Sequence, residues 1–215
     1  MSSSEKRVSF QVSNSYSSLN ELTSGTKNIW FACHGLGYLS RYFIRYFDHL
    51  DKKENYIISP QAPSKYYQGK DFKYVGASWL TRENTTEDTK NVLAYLDAVW
   101  DAENIPKEKK KIFLGYSQGV SVVMRWIASR KITPDVLIIH SGGIPKELKT
   151  NDLIHLKTTR IYLVYGKDDE YLTDERIESE TTRAKALFGK NLKIIPFEGK
   201  HEVNRKLIEE FSLKS

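Results

Sequence analysis

The stretch GYSQG, residues 115–119, sets Ser117 between two glycines, Gly115 and Gly119. It falls where a short apolar run, KIFLGY, meets a segment with helical spacing, QGVSVVMRWIASR. A strand that turns sharply into a helix presents the side chain at the turn above the sheet edge, and a Cβ at either flanking position would run into neighbouring backbone. Glycine removes that collision. The helix beginning there aims free backbone N–H groups, that of Gln118 among them, at the space beside the Ser117 hydroxyl. Negative charge would develop in that space if the hydroxyl attacked a carbonyl. The same serine would also suit a plain helix N-cap, so the chemistry turns on whether the chain supplies partners for it.

A nucleophilic serine needs a base, and the base needs an orienting carboxylate. Of the five histidines, His201 follows the last apolar run, in PFEGKHEV, on a loop leading to the final helix. His34 and His140 stand at the ends of other apolar runs, and His49 and His155 fall in helix or loop. Ligands of open α/β sheets bind beyond the carboxyl ends of the strands, which places His201 on the same edge as Ser117. The segment YLVYGKDDEYL leaves that edge between them and offers Asp168 and Asp169. The chain order is then serine, acid, histidine, as in α/β-hydrolases.

The elements that must hold these groups alternate. NIWFAC (28–33), YIISP (56–60), KIFLGY (111–116), VLIIHS (136–141), RIYLVYG (160–166) and LKIIPF (192–197) are short, nearly continuous apolar runs, suited to parallel strands covered on both faces. VSFQV alternates Val8, Phe10 and Val12 with polar residues, the period of a half-exposed edge strand. Between the runs, YLSRYFIRYFDHL, residues 85–100, the segment after Ser117 and residues near 173–188 have helical spacing, and HEVNRKLIEEF closes the chain. Glu87 and Asp88 fall in the first turn of the second of these, where the helix dipole favours acids. The pattern predicts one α/β domain, a mainly parallel sheet with helices on both faces. Residues 60–82 show no clear period and read as a long connecting loop of the kind that tends to carry function.

The chain's 215 residues, 40% apolar and 28% charged, are ordinary for one globular domain, and no stretch is apolar enough to span a membrane. Its polar start lacks the pattern of a secretory signal, so the expected compartment is the cytoplasm. One cysteine, Cys33, excludes an intrachain disulfide and a multi-cysteine zinc site, and its apolar surroundings make it a core residue. The net charge of +6 comes from scattered basic patches interrupted by acids, such as PKEKKK, which read as solvated turns rather than a nucleic-acid surface.

HGLG (34–37), GYSQG, YGKDDEYL and FEGKHEV together resemble the α/β-hydrolase fold, and in particular the phospholipase/carboxylesterase group that includes the acyl-protein thioesterases. The resemblance runs from about residue 28 to the end of the chain. It implies Ser117 as nucleophile, His201 as general base and acid, and Asp169, three places after the strand-end glycine, rather than Asp168 as the orienting acid. It implies an oxyanion hole made by the backbone N–H groups of Leu36 and Gln118. Glu170 stands where the family usually has proline, Val120 where it has a second glycine, and HGLG runs into YLSRYF without the usual small and acidic residues.

The chemistry implied is hydrolysis of a small-molecule ester or thioester through an acyl-serine, needing no metal or cofactor. No insertion is long enough for a cap domain, so the cleft should be open. In its expected wall, residues 60–82, Tyr66, Tyr67 and Tyr74 are candidates for substrate contact beside Phe72, whereas Trp79 is expected to pack the segment onto the domain. The competing readings are a non-catalytic ligand-binding protein on the same fold, and a hydrolase of lysophospholipids, dienelactone-like rings or peptides.

Overall fold

A computed structural model describes residues 3–213. Its strands are β1 (Tyr16–Leu19), β2 (Asn28–Cys33), β3 (Asn55–Pro60), β4 (Ser64–Gln68), β5 (Tyr74–Ser78), β6 (Lys110–Tyr116), β7 (Val136–His140), β8 (Arg160–Gly166) and β9 (Leu192–Phe197). The α-helices are α1 (Ser40–Phe43), α2 (Thr85–Ala102), α3 (Gln118–Arg130), α4 (Asp174–Phe188) and α5 (Arg205–Leu213). Seven strands form one sheet in the order β1-β3-β2-β6-β7-β8-β9, parallel except for β1, which runs antiparallel to β3. This is an α/β-hydrolase architecture.

The central apolar runs are covered on both faces, because successive side chains of a strand point to opposite sides, whereas β9, expected to be covered likewise, lies at the sheet edge with Lys193 and Pro196 exposed. Ile29, Phe31, Phe113, Leu137 and Leu163 pack with α2, α3 and α4 through Leu96, Trp126 and Phe188. Trp30, Ile112, Leu114, Ile138 and Val164 pack on the other face with Phe43, Phe47, Ile208 and Phe211. Cys33 is fully buried, as its apolar setting predicts, and burial pushes its thiol up.

The strand order reverses direction at β2, whose neighbours are β3 and β6. Such a switch point leaves a crevice beyond the strand ends. The register pairs Cys33 with Gly115, so the turns that follow these strands emerge side by side.

Three further expectations are corrected. Val8, Phe10 and Val12 form no strand and are 78–86% exposed; the antiparallel edge is β1 instead. Alternation by itself does not make a strand, and the edge of β3 is taken by β1. The helix expected over residues 39–50 is a single α turn, α1, continued by a 3-10 turn over Ile44–Phe47. Aromatic residues are mediocre helix formers, and burial of Phe43 and Phe47, the latter edge-on to Trp30 at 5.4 Å between centroids, decides the local shape. Residues 60–82 are not a structureless loop, because β4 and β5 pair as an antiparallel hairpin. Its turn uses positive φ at Gly69 and Phe72. The hairpin carries little apolar alternation because most of it faces water, with Tyr66, Tyr67 and Tyr74 exposed and only the end of β5, Ala77 included, buried.

Candidate active site

Ser117 follows β6 and precedes the first residue of α3 with φ 51° and ψ −118°, a conformation that L-residues avoid. Its surroundings hold it there. The Ser117 N–H donates to the His140 carbonyl at 2.8 Å, and its carbonyl accepts from the Val120 N–H at 3.1 Å. A Cβ on Gly115 would lie 2.5 Å from Val120 Cα, and one on Gly119 would lie 2.1 Å from the Cys33 carbonyl oxygen. Both glycines are therefore required by backbone contact, as the spacing predicts. Gly142, after β7, has the same role from the third side, since its Cβ would lie 2.3 Å from the Ser117 carbonyl oxygen.

Folding brings His201 and Asp169 to this turn. The Ser117 hydroxyl is 3.0 Å from His201 Nε2, and His201 Nδ1 is 2.7 Å from Asp169 Oδ2. A carboxylate can only accept, so Nδ1 carries the proton and Nε2 presents its lone pair to the hydroxyl. The Asp169 side chain is wholly buried, and its Oδ1 accepts the Tyr171 N–H at 2.9 Å. Asp168, one place earlier, is exposed and uses its N–H on the Gly199 carbonyl at 3.0 Å. The arrangement can move the Ser117 proton onto the imidazole while the carboxylate stabilises the charge that forms.

The loop that carries His201 has no regular structure and is held by neighbours the motifs do not name. Tyr116 Oη donates to the His201 carbonyl at 2.9 Å, with its ring 5.3 Å from the imidazole. His140 Nε2 accepts the Asn204 N–H at 3.2 Å. Its Nδ1 is then the donor to Ser141 Oγ at 3.0 Å, and the ring must be neutral. Burial, with His201 nearby, lowers His140 to about 3. The signal for both was position, since each ends a central strand at the edge that carries Ser117.

Leu36 lies in the turn after β2 and is 55% exposed. A Cβ on Gly35 would lie 3.1 Å from Ser117 Cβ, which shows how closely this turn abuts the serine. Among the described residues neither the Leu36 nor the Gln118 N–H has an acceptor, so both donors are free for an incoming oxygen. His34, fully buried, braces the turn: its Nδ1 donates to the Gly35 carbonyl at 2.8 Å and its Nε2 accepts the Ala62 N–H at 3.1 Å. Burial lowers His34 to about 4, only partly opposed by the Gly35 bond.

The hairpin borders the same turn. Its register places Tyr66, Gln68 and Tyr74 on one face and Tyr67 with Val75 on the other. The first face meets the turn, since Gln68 Nε2 donates to the Gly37 carbonyl at 2.8 Å. Tyr66 and Tyr74 thus share the face that meets this turn, and Tyr67 lies on the opposite face, packed edge-on against Phe72 at 5.4 Å. Trp79 is buried, as expected, and its Nε1 donates to the His34 carbonyl at 2.8 Å. A separate groove between α2, α3 and residues 147–152 excludes Ser117, Asp169 and His201, and its Arg125 is paired with Glu147 at 2.7 Å. No helix among the described residues is long and apolar enough to cross a membrane.

Residues 23–212 match the model of the phospholipase/carboxylesterase family. A comparison of the sequence with curated proteins finds no match. Among solved structures the chain is similar to acyl-protein thioesterase 2 of Zea mays, with a TM-score of 0.69 and 16% identity over 93% of this chain and 96% of that one. It is similar to a phospholipase/carboxylesterase of Dyadobacter fermentans, with a TM-score of 0.65 and 18% identity over 94% and 97%. A protein of unknown function from Agrobacterium tumefaciens matches with a TM-score of 0.62 and 15% identity over 93% and 94%. At these identities the structures speak for the fold, and the family match for descent: the chain belongs to the phospholipase/carboxylesterase family of α/β-hydrolases.

Proposed function

We propose that the protein hydrolyses carboxylic esters or thioesters through an acyl-serine on Ser117. The observation that carries this reading is the unbroken relay from Ser117 Oγ through His201 to the buried Asp169, with bonds of 3.0 and 2.7 Å. In the reaction, His201 Nε2 takes the hydroxyl proton as Oγ adds to the substrate carbonyl carbon. The oxyanion meets the Leu36 and Gln118 N–H groups. Collapse of the tetrahedral adduct breaks the bond to the alcohol or thiol, which leaves with the proton from His201. Water then repeats the sequence, giving its proton to His201 and its oxygen to the acyl carbon, and Ser117 recovers its proton as the acid departs. The chain supplies every group these steps use.

Leu36 in the turn after β2, Tyr66 and Tyr74 on the hairpin face that meets this turn, and Tyr171, 4.8 Å from the His201 ring, expose apolar surface, the tyrosines with polar tips. They suit the non-reacting part of an uncharged acyl or aryl group, which supports a small organic ester or thioester as substrate. The test is labelling of the intact protein by a fluorophosphonate, which captures a serine only where a base activates it. One adduct on the wild type, lost in Ser117→Ala, is expected. An unlabelled wild type would leave the ligand-binding alternative as the better account.

A further inference from the structure

We propose that residues 77–80, at the end of β5, form a bracket that sets the spacing between the two backbone donors of the oxyanion hole, with Gln68 and the side chain of Gln118 as positioning residues. This rests on the hydrolase reading above, and goes beyond it by assigning side chains to the placement of donors that are themselves main-chain groups.

The donors come from different elements. Gln118 opens α3, and Leu36 lies in the turn after β2. Nothing in the covalent chain fixes their separation, yet a developing oxyanion gains only from donors held about 2.7–3.1 Å from its position. The bracket spans the gap. On one side the Gln118 amide grips the strand end through both of its atoms: Oε1 accepts the Trp79 N–H at 2.8 Å, and Nε2 donates to the Leu80 carbonyl at 2.7 Å and to Ser78 Oγ at 3.1 Å. On the other side the Ala77 carbonyl accepts the Gly37 N–H at 2.9 Å, next to the Leu36 donor.

Gln68 closes the arrangement. It lies on β4, and its Nε2 donates to the Gly37 carbonyl at 2.8 Å, so Gly37 is held at both its N–H and its C=O by the hairpin. The fit is tight: a Cβ on Gly76 would lie 2.6 Å from Gln68 Nε2 and 2.7 Å from the Gly37 carbonyl oxygen. Gly37 itself has φ +84°, so the peptide orientation on either side of it depends on these bonds rather than on intrinsic preference. Gln68 shares its face with Tyr66 and Tyr74, so the surface offered to substrate and the clamp on the turn belong to one hairpin face.

The test compares wild type, Gln68→Ala, Gln118→Ala and, as a control on the opposite face of the hairpin, Val75→Ser. Each is assayed on p-nitrophenyl acetate and butyrate and titrated with a trifluoromethyl ketone. That inhibitor adds to the Ser117 oxygen, passes the hydroxyl proton to His201 and leaves an anionic hemiketal oxygen in the hole. With the bracket as described, Gln68→Ala loses about 10-fold or more in kcat, keeps KM within about 2-fold, and loses ketone affinity by a matching factor. Gln118→Ala behaves likewise where it folds, Val75→Ser stays within about 2-fold on every measure, and the acid limb of the kcat/KM profile does not move. A folded Gln68→Ala with kcat and ketone affinity within about 2-fold of wild type overturns the bracket alone. A loss in Gln68→Ala matched by Val75→Ser would make it general damage to the hairpin and overturn it too. A wild type that takes no fluorophosphonate overturns the hydrolase reading first, and the bracket with it.

Discussion

Gly119 sits against the carbonyl oxygen of Cys33 so closely that a Cβ there would be 2.1 Å from it, a contact between α3 and the end of β2 that no rotamer relieves. Gly119→Ala must therefore push the first turn of α3 away from the sheet. It should cost about 3 kcal/mol or more of stability, the upper range for overpacking, and abolish fluorophosphonate labelling in whatever protein remains folded. The checks are a urea titration and the labelling gel. A variant that unfolds at the wild-type midpoint would contradict the packing.

The strained backbone at Ser117 predicts a separation between two inactive variants. At φ 51° and ψ −118° alanine carries the same penalty as serine, and glycine does not. Ser117→Gly should be more stable than Ser117→Ala by about 1 kcal/mol, after glycine's extra unfolded-state entropy is subtracted from the strain relieved. Thermal or urea unfolding of the pair decides it. Equal midpoints would mean that the strain relieved is no larger than glycine's entropic cost, about 0.4–1 kcal/mol.

Asp169 and Asp168 are adjacent in the chain and unlike in environment, one wholly buried against His201 and the other exposed. Asp169→Asn puts an amide donor opposite Nδ1, favours the wrong imidazole tautomer, and should lower kcat by roughly 10⁴-fold. Asp168→Asn should leave kcat within about 2-fold. The outcome that sinks the assignment is the reverse order of losses in a p-nitrophenyl ester assay.

Two buried neutral histidines make stability depend on pH. His34 is lowered to about 4 and His140 to about 3, both from 6.5, chiefly by burial. Once the pH falls below 6.5 the unfolded chain binds protons that the folded rings refuse. Their contribution is thus complete above that value and is lost as the pH drops toward 4 and then 3. Each should steepen the loss by about 1.4 kcal/mol per pH unit across this window. Urea midpoints measured at pH 7, 6 and 5 should fall progressively. A midpoint unchanged from pH 7 to 5 would mean that these rings are not held neutral by burial.

The local chemistry of the elbow was legible in the amino-acid sequence because it is written in adjacent residues: a serine, two glycines at fixed offsets, a strand pattern before and a helix pattern after. The buried parallel strands were legible for the same reason, since each announces itself as a run with no polar face. The exposed hairpin was not. Its pairing is satisfied by backbone bonds between β4 and β5, and side chains that face water need no periodicity. The alternating Val8, Phe10 and Val12 misled for the opposite reason, a periodic pattern that pairs with no strand among the described residues.

What the order of residues determined by itself was which chemical groups the chain owns and which could stand at the carboxyl ends of strands. Only the tertiary structure decided the distances among them: that Asp169 faces His201, that Tyr116 and His140 hold the loop carrying His201, and that Gln68 reaches Gly37 from a hairpin with no recognisable motif. The reason is physical. Hydrogen bonds act over about 3 Å, and residues far apart in sequence reach that range only when sheet register and packing bring separate strand ends together.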